Sequence, residues 1–315
     1  MPPVPLVRVI RSDVEESVHL GSVAVADADG RLVAAVGDPG RVAFARSSMK
    51  PLQATVSLRL AGDDLPDREV AVMSASHNGE PVHVEAVGAI LERAGLSFGD
   101  LQTPPDRPID QQAAAAAPEP RPEYHNCSGK HAGMLLACAR RRFDLPSYRD
   151  PAHPLQAEVL EAVRAAAGRR PEAVGVDGCG VPVHALPLAA LAAVYARLAA
   201  GRVPHGKQVV RAMRAEPYLV AGRHRVCTAL MEHAAVAVKI GAEGMMCAAV
   251  PDRGIGVALK VEDGGARAAE PAIVHALALL DLLDPGAVPA FARPAVLGGG
   301  RPVGELIPGF TLDLL

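Results

Sequence analysis

Ser47-Ser48-Met49-Lys50 sets a hydroxyl and an amine three residues apart at the start of a helical run. Residues at that spacing share a helix face, so the Lys50 amine is expected to reach the Ser47 hydroxyl. A desolvated lysine can lose its proton and take one from an alcohol, which makes a nucleophile for acyl transfer. The first-turn N–H groups would then help to hold the oxyanion. The plainer alternative is that Ser47 or Ser48 caps the helix and Lys50 is solvated. Lysine usage favours the chemical reading. Of 32 basic residues only five are lysines, namely Lys50, Lys130, Lys207, Lys239 and Lys260. A chain that otherwise uses arginine keeps a lysine where the cation must be able to become neutral. Arg46, next to Ser47, could pair with a substrate carboxylate through both guanidinium arms.

Two further motifs follow in order: Ser76-x-Asn78, then Lys239-x-Gly241 on an expected strand. Ser76 and Lys239 make a second hydroxyl–amine pair, suited to relaying protons or fixing a substrate. The penicillin-recognising enzymes carry Ser-x-x-Lys, Ser-x-Asn and Lys-Thr-Gly in that order. Here Ile240 stands where threonine is expected, so the order supports a Ser/Lys amide-cleaving site more than β-lactam chemistry.

A second constellation surrounds Cys127. Cys127 and His131 are four residues apart, as same-face ligands on a helix would be, and Lys130 lies between them. Cys179 follows 52 residues later in the glycine-rich Gly175-Val176-Asp177-Gly178-Cys179-Gly180. Two thiolates with one Lys or His leave a coordination place open, the pattern of a catalytic or substrate-facing zinc. Two other readings stand beside it. Cys127 could be a thiol nucleophile with His131 as its base, or both cysteines could be buried small hydrophobes. Cys138, Cys227 and Cys247 read as core. Asp177 could receive a substrate ammonium or steer a metal ligand.

Around these residues, Val4–Ile10, Leu20–Ala26 and Leu32–Val36 read as strands, with a hairpin turn at Asp27-Ala28-Asp29-Gly30. Leu52, Val56 and Leu60 recur at helical spacing and close at Gly62. A helix is expected over Val82–Ala94. The Pro- and Ala-rich segment 103–122 reads as a loop or lid. Helical periodicity covers His131–Arg142, Leu155–Ala167, Leu188–Ala200, His205–Ala215 and Arg225–Ala234. Strands return at Ala235–Ile240, Met246–Val250 and Gly254–Val261, followed by a helix near Pro271–Leu283. The expectation is an α/β (α+β) chain, with an antiparallel sheet formed from both termini and a largely helical inserted lobe. Residues 1–315 would form a single compact catalytic domain with two lobes, a sheet lobe from about 1–80 and 235–315 and a helical lobe over about 81–234.

The bulk properties narrow the class. A length of 315 residues, 50% hydrophobic and 21% charged, suits a soluble globular protein with ample core. A net charge of −3 and 3% aromatic content argue against nucleic-acid binding. No apolar run is long enough for a membrane span. The N-terminus lacks a signal-peptide pattern, and five scattered cysteines suggest a reducing cytoplasm.

Four segments carry a resemblance: Ala45–Gln53, Ala75–Glu80, Asn126–Met134 and Asp177–Pro182. Together they resemble the bacterial asparaginase II family, the rhizobial-type or class 3 L-asparaginases. The resemblance implies a fold similar to serine β-lactamases and glutaminases and hydrolysis of L-asparagine to L-aspartate and ammonia. It implies two Ser–Lys pairs, Ser47 with Lys50 and Ser76 with Lys239, with Ser47 as nucleophile. It implies zinc on Cys127, Lys130 and Cys179, a substrate pocket lined by Arg46, His131 and Asp177, and a homodimer. The rival readings are a β-lactamase or penicillin-binding-like serine hydrolase and a non-catalytic metal-dependent amino-acid-binding protein.

Overall fold

The computed structural model describes residues 2–62 and 64–315. It opens with β1 (Val4–Arg11), β2 (Val14–Asp27), β3 (Leu32–Val36) and β4 (Val42–Phe44), then α1 (Lys50–Ala61), α2 (Asp67–Met73), α3 (Pro81–Arg93) and α4 (Gln111–Ala116). The middle holds α5 (Ser128–Arg141), α6 (Pro154–Ala167), β5 (Ala173–Val176), β6 (Pro182–Pro187), α7 (Leu188–Ala200), α8 (Gly206–Ala215), α9 (Pro217–Val220) and α10 (Val226–His233). The chain closes with β7 (Ala237–Ile240), β8 (Met245–Val250), β9 (Ile255–Val261), α11 (Ala266–Leu279), α12 (Pro289–Ala292), β10 (Ala295–Gly298), β11 (Arg301–Pro308) and β12 (Asp313–Leu314).

Strands from both ends of the chain share one antiparallel sheet, as the alternation of elements implies. Its main path is β10-β11-β1-β2-β9-β8-β7, with β3 also paired to β2 and β12 paired to β3. Asp27 and Gly30 make the expected hairpin turn, with the Gly30 N–H on the Asp27 carbonyl and φ of 87° at Gly30. Val23, Ala24, Val25 and Ala26 of β2 are all fully buried, so this strand is covered on both faces rather than one. The Ala- and Leu-rich α7 lies on β2 and β9. It comes so close that a Cβ on Gly256 would stand 2.1 Å from the Ala192 carbonyl oxygen, which leaves room for glycine alone. On the helical side α5 packs on α1, α2 and α3.

Several segments differ from the sequence reading. The second strand begins at Val14, six residues before the apolar run, because its exposed first half pairs with β1. Residues 103–122 are not all loop: α4 forms within them, capped by the Asp110 carboxylate on the Ala113 N–H at 2.9 Å. A second small sheet, β4-β6-β5, went unseen. Its strands are short and β6 is bracketed by Pro182 and Pro187, which mask a strand signal.

Candidate active site

The turn before α1 is a 3-10 segment, Arg46–Met49, and it begins under strain, with φ of +50° at Arg46. A non-glycine residue held there is a marker of sites where surrounding contacts fix the backbone. The Tyr195 hydroxyl donates to the Ser48 carbonyl at 2.6 Å, and the Ser48 hydroxyl donates to the Lys239 carbonyl at 3.3 Å. The first bond docks the turn against α7 and the second against β7. Gly241 permits the docking, since a Cβ there would lie 3.0 Å from the Ser48 hydroxyl oxygen and 3.1 Å from the Ala45 carbonyl oxygen.

Lys50 then enters α1 fully buried. Its Nζ lies 2.6 Å from the Ala75 carbonyl oxygen, 3.0 Å from the Ser76 Oγ and 3.2 Å from the Asn126 carbonyl oxygen. Lys239, also fully buried, places its Nζ 2.7 Å from the same Ser76 Oγ and 2.8 Å from the Ile240 carbonyl. One hydroxyl therefore sits between two buried amines. Burial lowers the pKa of both lysines; the Lys130 charge pushes Lys50 the same way against Cys127 and Cys179, and the Lys50 charge pushes down Lys239, which is held well below the ordinary lysine range. The expected Lys50–Ser47 contact is corrected by this geometry. No hydrogen bond joins the two side chains among the described residues, because a buried amine turns to the carbonyls of Ala75 and Asn126 rather than back along its own turn.

The Ser76 loop is braced from behind. His77 Nε2 bonds the Ser128 hydroxyl at 2.9 Å, and its Nδ1 accepts the Gly79 N–H at 3.1 Å. His77 stacks on His83, and His83 stacks on Tyr218. Buried Glu80 accepts the Arg223 N–H at 3.1 Å, an Asn78 Nδ2–H at 3.3 Å and the Tyr218 hydroxyl proton.

Ser47, Ser76, Cys127, Asp177 and Cys179 line one cavity of about 350 Å³. That lies near the lower end of the roughly 300–1,000 Å³ common for ligand sites and suits a small substrate. Ser47 is half-buried and its hydroxyl has no hydrogen-bond partner among the described residues. Lys50 and Lys239 stand behind Ser76, off the wall. Arg46 and Asp177 face each other across the rim, Nε to Oδ1 at 2.8 Å, instead of standing apart to await separate substrate groups. Burial would raise the Asp177 pKa, but Lys130 and Arg46 outweigh it and keep the carboxylate ionised.

His131 is a second correction. It is wholly buried and does not reach the cavity wall. Its place on the inward face of α5 points Nδ1 at the Tyr148 hydroxyl, 2.5 Å away, and burial lowers its pKa to about 4. Among the described residues no hydrogen bond reaches its Nε2, while the neighbouring Cys179 thiol works against the lowering by burial.

Lys130 Nζ lies 2.9 Å from Cys179 Sγ. A hydrogen bond with Cys179 holds the buried Cys127 thiol well below its usual range, against burial, with help from Lys50 and Lys130. Burial would lower the Lys130 amine, yet Cys179 and Cys127 outweigh it and raise it above the usual lysine range. Two sulfurs and one nitrogen thus converge. Among the described residues no three His, Cys, Asp or Glu side chains gather as a metal cluster, so a metal here would need the Lys130 amine as its third donor. As a donor set, two soft sulfurs and a nitrogen fit zinc. Cys138, Cys227 and Cys247 are buried and stand apart from this group.

Arg225, His125, Asn126 and Ile109 also line the cavity, and the sequence reading gave them no role. His125 and Asn126 stand directly before Cys127, which was a usable signal. Arg225 had only its place before an apolar helix to mark it.

Comparisons with known proteins agree with the motifs. Residues 7–308 match the family described as L-asparaginase II. No curated protein matches the chain. Among solved structures, Mglu in its glutamate form is 16% identical with a TM-score of 0.49, and the match covers 83% of this chain and 61% of that one. This chain thus spans less than two thirds of Mglu's length. A β-lactamase from Mycobacterium bovis is 17% identical with a TM-score of 0.43, covering 82% of this chain and 93% of that one. With the match running nearly end to end and the motif residues gathered at one cavity, the chain belongs to the L-asparaginase II family.

Proposed function

We propose that the protein hydrolyses the side-chain amide of L-asparagine to L-aspartate and ammonia by acyl transfer to serine. The observation that carries this reading is the Ser76 hydroxyl held at 3.0 and 2.7 Å by two buried amines, on the wall of a cavity it shares with Ser47. Neutral amines in dry surroundings are bases, and the alcohol they contact is the group through which a proton can leave the cavity. Ser47 attacks the amide carbonyl. It faces the cavity with an uncommitted hydroxyl, whereas both sides of Ser76 are occupied by lysines. Ser76 passes the proton of Ser47 to Lys50 or Lys239, and the same route returns it to the departing ammonia. Water then resolves the ester. Asp177, paired with Arg46 through Oδ1, offers its Oδ2 to the substrate ammonium.

A second reading is favoured by the same two contacts: Ser76 itself attacks, because the amines touch it and not Ser47. Zinc is the proposed metal, held by Cys127, Lys130 and Cys179. When bound it would supply a positive charge that orients the substrate or polarises a carbonyl. In that state the Lys130 amine gives up its proton.

Ammonia release from L-asparagine tests the proposal in S47A, S76A and C127A variants. S47A should lose at least about 10³-fold and S76A about 10²- to 10⁴-fold in kcat, while C127A should lose bound zinc with a smaller loss of rate. Loss confined to C127A would overturn the serine mechanism. An S47A variant with full activity would pass the attack to Ser76.

A further inference from the structure

Resting on the hydrolase reading above, we infer that Arg225 is the anchor for the substrate α-carboxylate, and so sets the selectivity of the cavity for amino-acid amides. An amide carrying an α-carboxylate needs a cation on the cavity wall that is not already neutralised. Arg46 is paired with Asp177 at 2.8 Å, and Lys130 is bonded to the Cys179 sulfur at 2.9 Å. Arg223, next door, faces Glu80 at 3.6 Å and Asp110 at 3.9 Å. Arg225 is different. Its side chain is half-buried on the cavity wall and among the described residues makes one hydrogen bond, from Nη1 to the Asn78 Oδ1 at 2.8 Å, with no carboxylate of those residues within 4.0 Å.

The Asn78 amide is itself fixed, since its Nδ2 donates to the Arg223 carbonyl at 2.9 Å and to Glu80. Its oxygen can therefore only face Arg225, and the guanidinium is oriented by a neutral partner, with the half-buried Glu270 carboxyl feeling its charge from beyond ion-pair distance. A guanidinium presents five N–H donors, so one bond to Asn78 leaves a planar edge able to grip a carboxylate bidentately. A partly desolvated cation with a neutral partner also gains most from an incoming anion. With Arg46 and Asp177 paired to each other, Arg225 gives the cavity a cation without a paired carboxylate, with the serines beside it. That arrangement selects an amide that carries a carboxylate over a simple one.

The test compares wild type with R225Q and R225K, using L-asparagine for kinetics and L-aspartate for calorimetric binding. R225Q should raise KM by about 10- to 100-fold, the range for losing a hydrogen bond to a charged group, with kcat changed less than about threefold. It should weaken L-aspartate binding in parallel, and R225K should recover part of both. Unchanged KM and unchanged L-aspartate binding in folded R225Q would overturn the anchor. So would a loss confined to kcat, which would mark a residue that merely positions the Ser76 loop. L-Aspartate binding that depends on Arg225 in a wild type releasing no ammonia would overturn the hydrolase reading and leave the anchor standing.

Discussion

At the residue scale the site is governed by two lysines that the fold keeps out of water. Their folded-state pKa values are lowered, so folding favours the neutral amine. Between the lowered value and the ordinary lysine value of about 10.4, the unfolded chain binds more protons than the native one. Stability must therefore rise with pH through that window, by up to about 1.4 kcal/mol per pH unit for each proton. K239M removes one such group. Thermal unfolding midpoints recorded from pH 7 to 9 should climb less steeply in K239M than in wild type, while its asparagine hydrolysis falls about 10²- to 10⁴-fold. Equal slopes would mean that Lys239 is charged in the folded protein and no base. The lysines were legible in the sequence because an arginine-rich chain had retained them. Their partners were not. Spacing of three residues suggested that Lys50 serves Ser47, but the amine is drawn to carbonyls contributed by the Ser76 loop and by Asn126. For His131, the spacing of four residues gave the helix face it shares with Cys127 and not its depth behind the cavity wall.

At the element scale, the site depends on α5 lying flush against α2. Gly129, one residue before Lys130, makes this possible, because a Cβ there would stand 2.1 Å from the Val72 carbonyl oxygen. A backbone atom cannot swing aside as a side chain can. G129A should push α5 outward, destabilise the protein by about 1–3 kcal/mol as overpacking does, and carry Lys130 away from Cys179. Chemical denaturation together with zinc content measures both effects. An unaltered midpoint with full zinc would show that the two helices can separate at no cost. Helices with clear apolar periodicity were readable, α7 to the residue and α1 to its Gly62 stop, where φ is 69°. The short strands β4, β5 and β6 were not. Three to six residues do not establish a period of two, and β4 finds its partner β6 about 140 residues further along the chain.

At the scale of the whole molecule, the cavity is assembled from residues remote in sequence, Arg46 and Ser47 from the turn between β4 and α1, Ser76, Cys127 and Cys179 from later connections, and Gly241 from just after β7. The antiparallel sheet uniting both termini brings them together, and the alternation of elements showed that much. The closing strands β10, β11 and β12 left no such mark, although β11 covers the outer edge of β1 from Val7 to Arg11. Among the described residues no helix is long and apolar enough to cross a membrane. Such an assembly of hydroxyls and dry amines has one purpose in this account, to move an acyl group onto serine and off again. Mass spectrometry of the enzyme quenched during turnover of L-asparagine tests that directly. The account predicts an aspartyl ester on the peptide that carries Ser47. Continued ammonia release with no acyl group on any serine, or with one carried by Cys127, would contradict it.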